Sequence, residues 1–393
     1  MISAKLLDDF ALAKYIIAAI LARTATGSAV VAVVLLSRQF GAEGALVGAL
    51  SASLTLPHIL GPVYGRWLEK SNNGYLVIAI ACLLFTICFQ LFIFSIKWHH
   101  LWLGFVSLML SGACASFMMG GLSTQLNHLV SDALLVKRKA QSWDTLTYGI
   151  GLTAGPMLVA VMTSQFSMEF ATTFVMSLPV FAGLILLLIS KPDMLKNANM
   201  IAVPSFQQVV TMLWQTPALK KTLFMTAGAA FAVAALHVIA VYYSEAFKQG
   251  PESGALLVTL YGVGCLIGAM GLVFKPMKKD ALTLLNRVGC LLVLSLFLLA
   301  FSTSITFSMF TFCLCGVVNS VFFAATIAAR TEYSPSQGAA QIYMWIAAAK
   351  ITAASFGAFL AGILVDYSII LPLISSIIVL SAILLLCFIK RER

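Results

Sequence analysis

Charge is scarce in this sequence. Of 393 residues only 14 are Asp or Glu and 24 are Lys or Arg, where a soluble domain is roughly a quarter charged. With 61% hydrophobic residues and a mean hydropathy of +1.00, too few polar side chains exist to cover a soluble fold. A soluble globular protein is excluded, and the bilayer is the solvent for most of the chain. Histidine is sparse too. The eight cysteines (Cys82, Cys88, Cys114, Cys265, Cys290, Cys313, Cys315, Cys387) form no CxxC pair and no Cys/His cluster. That spacing argues against a metal site and a disulfide framework, so no metal and no other cofactor are expected. No phosphate-binding glycine loop is present, which removes a visible ATPase. No group of acids, histidines or nucleophiles gathers at one depth, as a membrane-embedded enzyme requires. The net charge of +10 is not a nucleic-acid footprint, because the basic residues lie in short runs between apolar segments.

What is abundant is apolar sequence in lengths that cross a bilayer, about 20 residues each. Twelve such stretches are predicted, at 13–37, 43–65, 75–96, 101–129, 140–163, 169–190, 219–245, 253–274, 282–302, 305–329, 339–365 and 368–389. The first follows Lys5, Asp8, Asp9 and Lys14 without a small-residue cleavage site, and reads as a retained helix. The fold class expected is therefore an all-α membrane protein.

Basic residues orient it. Arg66 and Lys70, Lys137 to Lys139, Lys191, Lys196, Lys220 and Lys221, Lys275, Lys278 and Lys279, and Arg330 fall on one side with both termini; Arg38, Lys97 and Lys248 fall on the other. The richer side is cytoplasmic. Pro192, Asn197, Asn199, Pro204 and Pro217 mark 191–218 as a linker, between six-helix bundles at 1–190 and 219–393. Within the linker, Ser205 to Trp214 is amphipathic enough to lie along a membrane surface. The halves look like diverged copies. Gly44-Ala45-Leu46 and Gly61 repeat at an offset of 210 as Gly254-Ala255-Leu256 and Gly271, and Ala140-Gln141 pairs with Ala340-Gln341. Parallel repeats of this kind are a recurrent transporter design.

Two motifs carry a family resemblance. Gly65-Arg66-Trp67-Leu68-Glu69-Lys70 resembles the loop signature of the major facilitator superfamily, with Glu69 in place of the usual Asp and without the second glycine or the basic pair. Gly151-x-x-x-Gly155-Pro156 in the fifth stretch is similar to that superfamily's antiporter motif, with Val159 and Ala160 where a glycine pair is usual. The arginine of proton-coupled members in the fourth helix is absent, as is a mid-membrane acid in the first. The resemblance implies the major facilitator fold, twelve helices in two parallel six-helix bundles. It also implies a monomeric secondary transporter working by alternating access, and it favours efflux by antiport of a drug, metabolite or siderophore. Glu69 is then a latch that accepts hydrogen bonds from a helix N-terminus in the same half or pairs with a basic side chain. Gly151, Gly155 and Pro156 permit close helix approach and a bend.

The charges inside the stretches bear on the cargo. Arg23 sits mid-way along the first and Lys350 mid-way along the eleventh, neither with an acid of its own helix at that depth. A central arginine costs about 2.5–3.5 kcal/mol on insertion scales, so such residues usually face a cavity or a partner. An anionic or zwitterionic small molecule is the expected cargo, held by a guanidinium fork and an ammonium; carbonyl oxygens, water or Asp144 are the alternative partners. Asn319, Tyr148 and Tyr261 are further candidate binding residues, with Trp345 as another aromatic of the pocket. His58, His237 and Asp144 are candidate coupling or gating groups, although Asp144 near a helix start reads more simply as a solvated carboxylate. Protons are the candidate coupling ion, membrane lipids the other partner, and a bacterial inner membrane the location. Uptake of an organic anion or siderophore is the alternative direction, and a non-transporting receptor the alternative of another class.

Overall fold

The computed structural model describes residues 2–42, 44–126, 129–130, 133–189, 204–248, 251–335, 337–365 and 367–389. The linker residues Lys191, Pro192, Lys196, Asn197 and Asn199 lie outside these, as do the basic residues Lys390, Arg391 and Arg393 of the C-terminus.

Every described element is helical. The first half holds α1 (Ile2–Gln39), α2 (Gly44–Thr55), α3 (Gly61–Lys70), α4 (Gly74–Lys97), α5 (Leu101–Ser116), α6 (Leu122–Gln125), α7 (Leu134–Gln165) and α8 (Met168–Leu187). Then follow α9 (Phe206–Gln215), α10 (Pro217–Ala246), α11 (Pro251–Phe274), α12 (Ala281–Ala300), α13 (Ile305–Tyr333), α14 (Ala339–Val365) and α15 (Leu371–Ile389). Only a helix satisfies its own backbone polar groups where water is absent, so the apolar stretches have no other local solution. Ten described helices are long and apolar enough to cross a membrane by themselves. The remaining predicted stretches are α15, with 19 residues, and a run broken into α2, a 3₁₀ turn at Leu56–Leu60 and α3. Pro57 sits in that turn, where its missing N–H and its ring interrupt the α-helical ladder.

Side-chain caps set several starts. Asn73, Ser167, Asp280 and Ser304 each accept from the backbone N–H three residues on. The Asp280 carboxylate feels some desolvation by burial. Hydrogen bonds from Tyr333 and the Thr283 backbone outweigh it and hold the acid below its ordinary range.

Helix faces show the membrane's inverted logic. On α4, Ile78, Cys82, Phe85, Phe89 and Phe92 are buried, while Ile80, Leu84, Ile87, Leu91 and Phe94 are exposed. Both faces are apolar because one packs on protein and the other on lipid. The chain divides into two compact units, one of Met1–Ala140, Ile150–Val209 and Pro335–Ala347, the other of Gln141–Gly149, Val210–Ser334 and Ala348–Arg393. Each has its own core. Tyr15, Phe85, Phe89 and Leu108 belong to the first, and Leu236, Leu292, Phe312 and Leu380 to the second.

Several residues read as loop or helix-end charges are inside helices instead. Arg138 (2% exposed) lies in the second turn of α7, Arg330 (4%) in the last turn of α13, and Asp144 is fully buried. Asp144 is no solvated helix start, because α7 begins at Leu134, ten residues earlier, which at 1.5 Å per residue is about 15 Å along the axis. The polar residues of that lead-in hid the helix from a reading based on hydropathy.

Candidate substrate and gating sites

Arg23 is the largest fully buried side chain of the first unit, 1% exposed. Its Nη2 donates to Ser123 Oγ at 2.9 Å. Ser123 stands two residues after a π-helical turn, Phe117–Gly121, that joins α5 to α6. A π turn inserts an extra residue and rotates everything after it, and such turns are frequent at functional sites. Thr26 bonds back to the carbonyls of Ala22 and Arg23 and reaches Met119 Sδ of the same turn at 3.3 Å. Ser123 was absent from the sequence candidates, and Gly120-Gly121 just before it was the available signal.

The glycines of the antiporter-like motif lie directly behind Arg23. A Cβ on Gly151 would stand 2.5 Å from the Arg23 carbonyl oxygen and 2.7 Å from Arg23 Cβ. One on Gly155 would overlap the Thr24 carbonyl oxygen, and one on Gly27 would come 2.5 Å from the Gly151 carbonyl oxygen. α1 and α7 therefore meet backbone to backbone at the level of Arg23, which only residues without a Cβ allow. Pro156 follows within α7, and the helix continues through it.

The second unit gathers four of the candidate binding residues. Lys350 Nζ sits 4.0 Å from the centroid of the Phe323 ring. Phe323 in turn meets Tyr148 edge-on, with centroids 4.9 Å apart and planes at 82°. One helical turn before Phe323 on α13, Asn319 Nδ2 donates to Tyr261 Oη at 2.7 Å. The ring of His237 stands against Tyr261 at 5.5 Å and 74°. Phe323 was not foreseen from the sequence, since a phenylalanine in a run of apolar residues carries no signal of its own. His58 lies in the 3₁₀ turn, where its Nδ1 is 3.2 Å from the Thr55 carbonyl oxygen of its own segment. Among the described residues no group of His, Cys, Asp and Glu is arranged to hold a metal.

Glu69 is engaged as an acceptor. Its Oε1 accepts from the backbone N–H of Ala340 at 2.6 Å and of Gln341 at 3.3 Å, and its Oε2 accepts from Gln341 Nε2 at 2.8 Å. These are first-turn groups of α14, which lack intrahelical partners and carry the positive end of the helix dipole. The expectation of a helix in the same half of the sequence is thus corrected: the helix is α14, the eleventh of the predicted stretches, 271 residues away. Gly65 makes the approach possible, because a Cβ there would stand 2.7 Å from Gln341 Cα and 2.8 Å from the Ala340 oxygen. Gln341 Nε2 also donates to the Pro204 carbonyl at 3.2 Å, which ties the described end of the linker to the same helix start. Trp345, one turn on, packs its ring on Phe206 at 5.3 Å. Burial raises the Glu69 carboxyl above its ordinary value, against the opposing hydrogen bonds from Gln341 and Ala340.

A bundle of apolar helices that keeps buried cations and an acid within its spans, with a carboxylate bound to a distant helix start, is the architecture of a multi-pass membrane transporter. The sequence model of the Major Facilitator Superfamily matches residues 15–294, and the chain belongs to that superfamily, whose members are secondary transporters of small molecules. Solved structures share the fold across nearly the whole chain. The E. coli fucose:proton symporter FucP superposes with a TM-score of 0.72 at 14% identity, covering 96% of this chain and 98% of that one. The human organic anion transporter MFSD10 gives 0.74 at 12% identity, covering 97% and 99%. A bacterial homologue of the iron transporter ferroportin, in an outward-facing state, gives 0.73 at 14%, covering 98% and 100%. Among curated proteins no relative matches the chain.

Proposed function

We propose that this transporter moves a small organic anion or zwitterion, and that Arg23 and Lys350 each contribute a positive charge to recognising it. The observation that carries the reading is Lys350. Its ammonium lies within a membrane span on an aromatic face, and among the described residues it makes no ion pair. A ring face attracts a cation by about 0.5–2 kcal/mol, little compensation for a charge at that depth. A carboxylate or phosphate arriving with the substrate supplies the missing partner. Arg23 adds a guanidinium, whose planar fork suits the same groups, and it is held by Ser123 after the π turn and by the close approach of Gly151 to its backbone.

The direction proposed is export, on the strength of the Gly151-x-x-x-Gly155-Pro156 match, with protons as the counter-ion. Asp144, His237 and His58 are the proposed coupling groups, and Glu69 the proposed gate. Siderophores, metabolites and acidic drugs fall within this cargo class. The inner membrane with both termini cytoplasmic is the proposed placement, following the basic loops, with the chain acting as a monomer of two six-helix repeats joined at 191–218.

The test is ligand-dependent thermal stabilisation of the purified protein, which grows as RT ln(1 + [L]/Kd). A saturating organic anion at about 100 Kd should stabilise the wild type by about 2.7 kcal/mol. Arg23→Ala or Lys350→Ala should lose most of that response while keeping a cooperative transition. Stabilisation by hydrophobic cations or neutral drugs in place of anions would overturn the reading.

A further inference from the structure

We propose that the anion recognised at Lys350 is carried on a planar aromatic group, as in an aryl carboxylate, and that Phe323 is the residue that selects it. This inference rests on the anion reading above and narrows it.

The geometry begins with the accessible face of α13. Phe322 and Ala324 are buried, while Phe323 and Asn319 are only partly so, one turn apart on the same side of the helix. Lys350 is also partly accessible and stands over the Phe323 ring at 4.0 Å. Tyr148, 8% exposed, meets that ring at 82° and holds its plane in one orientation. The cation therefore occupies a ring face that is otherwise preorganised for a flat partner.

A carboxylate paired with Lys350 must come within about 3 Å of Nζ. A ring attached directly to that carboxylate then falls within the range of about 4.5–7 Å over which aromatic pairs attract. Once the ammonium turns toward the carboxylate, the face it leaves is available to the incoming ring. A saturated ring of the same size gains burial there but no quadrupole complementarity. The difference is worth about 2- to 10-fold in affinity. A polycarboxylate with an aliphatic skeleton gains no such complementarity from the Phe323 ring.

The experiment is calorimetric titration of the purified full-length protein with benzoate and with cyclohexanecarboxylate, which share charge and approximate size and differ in aromaticity. The wild type should bind benzoate about 2- to 10-fold more tightly. Phe323→Leu should bring that ratio close to one while cyclohexanecarboxylate still binds, and Phe323→Tyr should restore the preference. Lys350→Gln should abolish binding of both. Equal wild-type affinities, or a preference that survives Phe323→Leu, overturns the aryl assignment and leaves the anion reading in place. If neither acid binds and Lys350→Gln changes nothing, both fail together. A thermal midpoint for each ligand-free variant separates lost binding from lost folding.

Discussion

Replacing Glu69 with alanine should speed hydrogen exchange at the Ala340 and Gln341 amides about tenfold or more. The carboxylate is the acceptor for both amides and for the Gln341 side chain. Alanine leaves those buried donors at the start of α14 without it, at a cost of about 1–3 kcal/mol. Exchange limited by local opening converts each 1.4 kcal/mol into a factor of ten. Unchanged protection in the variant would show that the contact does not hold α14. The sign of the pH dependence follows from burial, which raises the Glu69 carboxyl above the ordinary value of 4.5 despite the bonds from Gln341 and Ala340. A state with a raised carboxyl pKa binds its proton more tightly than one with the acid in solvent. That contribution to docking is complete below 4.5 and is lost as pH rises through the raised value. Acidification should therefore favour the docked arrangement, and Glu69→Gln should remove the pH dependence. Protection of the same amides, corrected for intrinsic exchange rates, reads both effects.

The second large effect is expected at the contact of α1 with α7. In Gly151→Ala and Gly155→Ala the new methyl meets the backbone of Arg23 and Thr24 rather than the movable end of a side chain. Relief requires α1 to shift as a body. Overpacking of this kind costs about 1–3 kcal/mol, and the shift falls at Arg23 itself. Both variants should melt earlier and lose anion-dependent stabilisation. Gly362→Ala is the control, because a Cβ there meets nothing within 4 Å, and its effect should stay within about 0.5 kcal/mol. If Gly151→Ala and Gly155→Ala match that control, the two backbones are not in contact as described.

The helices themselves were readable from hydropathy, except that the stretch expected at 43–65 breaks at Pro57 into α2, a 3₁₀ turn and α3. The failures came where polarity and helix coexist. The lead-in to α7, Leu134 to Lys139, looks like a charged loop, and so Asp144 looked solvated when it is buried. Arg330 looked like a loop cation and is inside α13. Of the candidate site, Arg23 and Lys350 stood out because a charge in a bilayer is costly wherever it sits. Ser123 and Phe323 did not, since a serine or a phenylalanine in a membrane helix is ordinary until its neighbour is known.

The amino-acid sequence by itself determined that the chain lives in a membrane and that it does so as helices. Those outcomes follow from local rules, because each 20-residue stretch must satisfy its own backbone and match its own solvent. Only the tertiary structure decided that Glu69 closes on the start of α14, that Arg23 reaches Ser123 and that Lys350 rests on Phe323. The first two contacts join residues 271 and 100 positions apart, and the third joins two different helices. Periodicity along one helix specifies which face is buried, but not which side chain of another helix will be found there.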